Sequence, residues 1–349
     1  MAGFDAFLLL SFGGPEGPDD VLPFLRNVTH GRGVPDVRLA EVAEHYQYFG
    51  GVSPINAQNR ELLAALRDEF AGRGIDLPIY WGNRNWSPYV EDAVRQMRAD
   101  GVRRALVFTT SATASYSACR QYREDLARAR AGLGDGDGAG APELVKLRHF
   151  FDHPGFIGAA VDGVRVALAD LPPELRDDAR LVCTAHSIPV AMNDASGPRR
   201  DGLYARQQRE TARLVAEAVR GAGAEFDLAW QSRSGPPSVA WLEPDINDHL
   251  KDLAARGVRA VVVAPTGFVS DHVEVRWDLD TEARATAADL GVAFVRAPTV
   301  GVHPAFVGMI GELVDEQLRD TPPQHLGRLG ICGSDCPAGC CPAPQRQAG

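Results

Sequence analysis

The sequence predicts an α/β protein of two Rossmann-like lobes, each a four-stranded parallel sheet flanked by helices. Three observations carry that expectation. Short apolar, β-rich runs alternate with longer segments of helical period, the order that builds parallel sheets through right-handed crossovers. Most of these runs are continuously apolar, as strands covered by helices on both faces must be. Four of them fall before residue 150 and four after it.

In chain order the predicted strands are DAFLLLS (5–11), PIYWGNR (78–84), ALVFTT (105–110), LVKLRHF (144–150), ARLVCTAHS (179–187), FDLAWQS (226–232), AVVVAPTG (260–267) and VAFVRAP (292–298). Between the first two, SPINAQNRELLAALRDEFAGRG opens on a Ser53–Pro54 cap and closes on glycine. SPYVEDAVRQMRADG repeats that arrangement from Ser87 and Pro88. The segment AGLGDGDGAGAPE (131–143) reads as a surface loop, rich in Gly and Asp and without periodicity. The lobes should part near FDHPGF (151–156), giving an N-terminal lobe 1–153, a C-terminal lobe 154–325 and a cysteine-rich tail 326–349. Two such lobes place their strand C-termini around a shared cleft, the usual ligand position in these folds.

Composition narrows the function. Hydrophobic residues make up 45% and charged residues 23%, as in a soluble globular protein. The net charge of -10 argues against nucleic acid, which needs a basic surface. No apolar run approaches the roughly 20 residues that cross a bilayer. The N-terminal MAGFDAFLLLSFGGPEG lacks a basic region and a small-residue cleavage site, so it reads as a first strand and not a signal peptide. A cytoplasmic setting is therefore expected, in which clustered cysteines hold a metal sooner than they form disulfides.

Chemistry concentrates at strand ends. His186, in CTAHSIP, ends the fifth strand ahead of a proline turn, where an imidazole can exchange protons near neutrality; the bland alternative is a histidine packed under the turn. After the seventh strand comes PTGFVSDHVEVRWDLDTEA, with Asp271 a candidate helix cap. Glu274, Asp278 and Glu282 then recur at i, i+4 and i+8, three carboxylates along one helix face. Like charges at that spacing repel, so the row is either a solvated face or a set of hard oxygen ligands for a divalent cation. His272 beside it is a further ligand or a packing residue; spacing does not decide. The turn in LLLSFGGPEG is neither GxGxxG nor a P-loop, which leaves a nucleotide site weakly supported. Aromatic residues near the strand ends, among them Phe12 and Tyr116, could wall a slot for a flat ligand or simply belong to the core.

Together, LLLSFGGPE, YFGGVSPIN, YWGNRNWSP, TTSATASYSACRQYRED, CTAHSIP and PTGFVSDHVEVRWDLDTEA resemble the ferrochelatase family, in the family's order and over nearly the whole chain. The resemblance is closest to the actinobacterial branch. It implies insertion of Fe²⁺ into coproporphyrin III, with His186 accepting pyrrole protons and Glu274 facing it across the ring. It further implies that Asp278 and Glu282, with His186 and Glu274, bind or deliver the metal. Ser53, Arg32 and His45 fall where relatives contact propionates, although some relatives have arginine in place of His45. Phe12 replaces a tyrosine that approaches iron in the firmicute branch, and a phenyl ring cannot ligate metal. Transient contact with neighbouring haem-pathway enzymes is compatible with this reading.

The tail ICGSDCPAGCCP holds four of the six cysteines. Some family members carry a [2Fe-2S] cluster on three tail cysteines and one from the body. The resemblance implies Cys119 as the body ligand and Cys332, Cys336 and Cys341 in the tail, with Cys340 the alternative to Cys341. Four thiolates suit a [2Fe-2S] centre and equally a structural zinc. Cys183, inside an apolar strand, reads as a buried small hydrophobe. Rival readings of the whole chain are a protoporphyrin IX ferrochelatase, a sirohydrochlorin-type chelatase of the same fold, and a non-catalytic tetrapyrrole carrier. The carboxylate row argues against the carrier, which has no use for it.

Overall fold

A computed structural model of the chain describes residues 3–31, 33–133, 140–235, 238–334 and 336–344. All eight predicted strands are present: β1 (Ala6–Ser11), β2 (Ile79–Asn83), β3 (Arg104–Thr109), β4 (Glu143–Lys146), β5 (Arg180–His186), β6 (Asp227–Gln231), β7 (Ala260–Ala264) and β8 (Ala293–Arg296). They form two parallel sheets, ordered β2-β1-β3-β4 and β6-β5-β7-β8. The second lobe thus repeats the topology of the first. The central strands β1 and β7 are buried at every residue, which is why their sequences are apolar without alternation.

The helices are α1 (Val21–Val28), α2 (Asp36–Tyr48), α3 (Ile55–Arg73), α4 (Val90–Ala99), α5 (Gln121–Ala131), α6 (Pro154–Ala169), α7 (Val190–Asp194), α8 (Leu203–Arg220), α9 (Ile246–Ala255), α10 (Val273–Val275), α11 (Arg284–Asp289) and α12 (Pro304–Leu318). Two π-helical segments, Tyr116–Arg120 and Arg276–Ala283, precede α5 and α11. Such segments are rare and concentrate at functional sites.

The repeat extends to the helix that follows each fourth strand. His153 and His303 both stand ahead of a proline, and each Nδ1 accepts the backbone N–H two residues on, at 3.1 and 3.2 Å. That satisfies a donor the first helical turn leaves orphaned. The two helices cross the lobe boundary in opposite senses. Helix α6 packs on α8, β7 and β8 of the second sheet, whereas α12 returns to pack on α3 of the first lobe and on α6. A Cβ at Gly155 would lie 2.5 Å from the Ala305 carbonyl oxygen, so glycine is what lets α6 and α12 come this close. Arg73 on α3 fastens the return, donating to Asp315 Oδ2 at 3.1 Å and to the Gly308 carbonyl at 3.1 Å.

Several local expectations are corrected. Ser53 does not cap α3. Pro54 occupies that position without a side-chain bond, and Ser53 is buried under the Gly13–Gly14 turn. Ser87 does not cap α4 either, since the helix begins at Val90 after an extended Tyr89. The Ser87 carbonyl instead accepts from the buried amides of Asn56 and Asn83, both at 3.3 Å. Strand β4 stops at Lys146, short of residue 150, because Arg148 turns away to a bidentate pair with Glu316 at 2.8 Å. Of the loop expected at 131–143, residues 134–139 lie outside the described residues.

Candidate active site

Adjacent strand ends assemble the site. β5 ends on His186, which pairs in register with Gln231 at the end of β6. On its other side β7 leads into a turn whose Gly267 N–H donates to the Thr184 carbonyl at 2.9 Å. A Cβ at Gly267 would fall 2.5 Å from Ala185 Cβ, so only glycine lets the turn lie flat on β5 just ahead of His186. The chain that follows brings Glu274 Oε2 to 3.7 Å from His186 Nε2.

The imidazole's tautomer follows from its other nitrogen. His186 Nδ1 lies 2.5 Å from the Ser187 carbonyl oxygen, which can only accept, so Nδ1 carries hydrogen and Nε2 is the atom that gains or loses a proton. The two side chains are 36% and 46% exposed, so both remain accessible. Burial opposes charge on His186, but Glu274, the Ser187 carbonyl and Asp278 outweigh it and raise its pKa above the ordinary value. Burial likewise disfavours the Glu274 carboxylate, yet His186, His272 and His45 pull its pKa down to about 2. Each partner therefore favours the charged form of the other.

This geometry corrects one expectation. Glu274 does not face His186 across the cleft; both belong to the second lobe, and a separation of 3.7 Å leaves no room for a ring between them. The reason is topological, because β5 and β7 are hydrogen-bonded neighbours whose ends open on the same wall.

Asp278 stands next in the row. Gln231 Nε2 donates to its Oδ2 at 3.2 Å and Ser232 Oγ donates to the same oxygen. Burial drives its pKa up to about 7; Ser232 opposes the shift, and Glu274 and Glu282 add to it. The folded-state value thus lies above the reference 3.8, so this carboxyl progressively destabilises the fold as pH rises from about 4 to 7. Asp278→Asn is accordingly expected to raise the thermal midpoint at pH 8 by a few degrees while lowering activity. Calorimetry of the two proteins checks it, and a lower midpoint for the variant would refute it. Glu282 accepts from Trp277 Nε1 at 2.9 Å.

The row lies largely on the π-helical segment, not on the regular α-helix expected, with Asp278 and Glu282 inside it and Glu274 on α10 just before it. Arg296, at the end of β8, holds that segment in place, donating to both oxygens of Asp271 and both of Asp280 at 2.7–3.1 Å. Asp271 therefore serves this clamp and does not cap the helix; the cap position is His272. His272 packs its ring on Phe268, with centroids 5.4 Å apart, and burial lowers its pKa despite Glu274.

The first lobe supplies the opposite wall. Phe12, 37% exposed just beyond β1, packs edge-on against Phe24. His45 on α2 stacks on Trp277 at 3.9 Å and 9°, and Tyr48 meets Trp277 edge-on, so these rings tie the first lobe to the acidic segment. Burial lowers the His45 pKa, with Arg38 adding to the effect and the carboxylates opposing it. Ser53 is 3% exposed and reaches a ligand only if the Gly13–Gly14 turn shifts. Tyr116 donates its hydroxyl to Glu124 Oε2 at 3.1 Å. Arg32 lies outside the described residues. Gln231, Ser232, Trp277 and Arg296 escaped the sequence reading. For the first two a signal existed, since FDLAWQS ends in the same register as CTAHS. A surface depression between Leu175, Asp178 and Arg256–Ala260 lies at the opposite ends of the strands, remote from this chemistry.

The tail forms a second site. Cys119, on the first π-helical segment, lines a small cavity with Cys336, Cys340, Cys341, Arg120 and Arg123. Cys340 and Cys341 Sγ atoms are 3.6 Å apart, and Gly197 N–H donates to Cys341 Sγ at 3.2 Å. Arg120 and Arg123 donate to the Ala338, Gly333 and Ser334 carbonyls, and Arg200 of the second lobe to that of Gly339. The tail therefore touches both lobes. The thiols are unpaired, and their donor set fits a thiolate-bound metal centre. Among the described residues, no three His, Cys, Asp or Glu groups, here or in the cleft, already stand as a formed metal site. Cys183 is fully buried, and burial pushes its thiol up to about 12.

Two four-stranded parallel sheets enclosing a cleft with a His–Glu pair define a two-lobed, chelatase-like protein. The fold is shared with SirB from Bacillus subtilis with Fe³⁺, at a TM-score of 0.54 and 13% identity over 91% of this chain and 98% of that one. Residues 4–318 match the ferrochelatase family profile, and the chain belongs to that family. It is 58% identical to the coproporphyrin III ferrochelatase of Nocardia farcinica, over 98% of this chain and 97% of the relative. It is 56% identical to the protein of the same name from Streptomyces coelicolor, over 97% and 94%. Among the described residues no helix is long and apolar enough to cross a membrane.

Proposed function

We propose that this enzyme inserts Fe²⁺ into coproporphyrin III, yielding iron coproporphyrin for haem biosynthesis in the cytoplasm. The observation that carries the reading is the His186–Glu274 pair, set at adjacent strand ends on one wall of the cleft. Full-length relatives that bear the activity in their names support the choice of substrate.

Metallation exchanges two pyrrole N–H protons for one divalent ion. His186 Nε2, once neutral, takes a pyrrole proton, the adjacent Glu274 carboxylate stabilises the imidazolium so formed, and the proton then leaves to solvent before the second is taken in the same way. Asp278, its pKa raised to about 7 by burial, is suited to exchange protons near neutrality and offers a carboxylate oxygen to the incoming ion. Glu282 continues the row. The incoming ion is handed along by one or two oxygens at a time, a loose hold proper to a substrate. Binding energy from the ring periphery, gathered between Phe12 and the second lobe, bends the macrocycle so that its nitrogens open toward the pair.

The test is anaerobic metallation, followed by loss of porphyrin fluorescence with Fe²⁺ and either coproporphyrin III or protoporphyrin IX. Coproporphyrin III should be consumed faster. Preference for protoporphyrin IX would overturn the substrate, and no metallation of either would overturn the enzyme.

In the tail, Cys119 together with Cys332, Cys336 and Cys341 would hold a [2Fe-2S] cluster, which when bound supplies a one-electron centre. The Gly197 N–H on Cys341 Sγ favours Cys341 over Cys340, because hydrogen bonds of this kind support cluster sulfur.

A further inference from the structure

Of the 36 basic residues in the sequence only Lys146 and Lys251 are lysines, and Lys146 is buried. It is the last residue of β4, and among the described residues its ammonium meets only the carbonyl oxygens of Leu147 at 3.0 Å and Gly333 at 3.5 Å. No described carboxylate pairs with it. A buried cation without a counter-charge is strongly unfavourable. The Gly333 carbonyl it meets directly follows Cys332 in the tail, so the ammonium lies beneath the cysteine-bearing segment; burial and Arg123 lower its pKa, while Cys119, Cys336 and Cys332 oppose that shift. Arg123 and His149 close the remaining sides. Arg123 already donates to the Gly333 and Ser334 carbonyls, and among the described residues the buried His149 ring, packed against Gly333, has no hydrogen-bond partner.

We propose that Lys146 is the counter-cation of the tail's thiolate site, so that its charge governs how firmly the cysteines keep their metal and, for an iron–sulfur cluster, how readily it accepts an electron. The inference rests on the reading that the tail holds a metal. Four thiolates on a metal leave a net negative centre, and one compact positive charge beside it offsets that excess. Adding an electron raises the negative charge further, so the same lysine favours the reduced form. The Gly333 carbonyl that completes the lysine's seat comes from the tail itself, so the seat and the docked tail form together.

The test compares the full-length wild type with Lys146→Met, Lys146→Gln and Lys146→Arg, after anaerobic purification and analysis for iron, sulfide and zinc. Met and Gln should release metal to a chelator about tenfold faster than wild type and disfavour reduction of the cluster about tenfold, a fall of about 59 mV for a one-electron couple. Arg should retain wild-type behaviour. Unchanged release and potential in the Met and Gln variants would overturn the proposal, as would an Arg variant that loses metal as fast as Met, which would make shape and not charge decisive. Should Met not fold, Gln against Arg makes the same comparison. A wild type carrying zinc without iron or sulfide overturns the cluster reading alone, and zinc release then decides the role of Lys146. A wild type that takes up neither metal overturns both.

Discussion

Replacing His186 by alanine is expected to lower the rate of metallation by about 10²–10⁴-fold, the range for loss of a positioned general base. KM for the porphyrin should change little, because the ring is held mainly at its faces and edge. The expectation follows from one nitrogen. Nδ1 is committed to the Ser187 carbonyl, so Nε2 is the atom free to take a proton, beside a carboxylate that stabilises the imidazolium once it forms. Substitution by glutamine, which keeps polarity without basicity, should be as damaging as alanine. Turnover within tenfold of wild type in either variant, measured anaerobically with saturating Fe²⁺, would remove His186 from the reaction.

Glu274→Gln should cost a comparable factor, about 10²-fold or more, and should also shift the pH response in a definite direction. In the wild type the carboxylate holds the His186 pKa above its ordinary 6.5, so neutral imidazole is lost as pH falls through a value higher than that. Removing the charge leaves burial as the strongest influence, and burial lowers a histidine pKa. The variant's imidazole should therefore stay neutral to more acid pH, with the acid limb of residual activity moving below the wild type's. Titration of His186 by NMR in the ligand-free protein reads the shift even where turnover is lost. An unchanged or higher value in the variant would mean that the 3.7 Å pair is not coupled in solution.

Much of this architecture was legible because its signals are local. A strand buried on both faces must be apolar throughout, and that signal located every strand to within a residue or two except at the C-terminal ends of β4 and β7. The overshoot at β4 has a distant cause, the pull of Glu316 on Arg148 and of the Cys332 carbonyl on the His149 N–H. The caps at Ser53 and Ser87 failed for a related reason. At 53 the backbone N–H is taken by the Pro15 carbonyl, and at 87 the carbonyl is taken by the buried amides of Asn56 and Asn83; a short motif carries no trace of that competition. The row at 274, 278 and 282 was visible as spacing, but its π-helical winding was not, since it is maintained by Arg296 from another strand.

Taken alone, then, the order of residues determined which segments become strands, which strand ends carry the imidazole and the acids, and that sulfur gathers in the tail. These properties depend on neighbours along the chain. Only the folded molecule decided that His186 and Glu274 share one wall, that the tail reaches both lobes, and that Lys146 is buried beneath the tail at Gly333. Each of those is a relation between segments far apart in sequence, made by parallel strand pairing and by helices that cross between lobes, and no periodicity in the chain encodes where two such elements will meet.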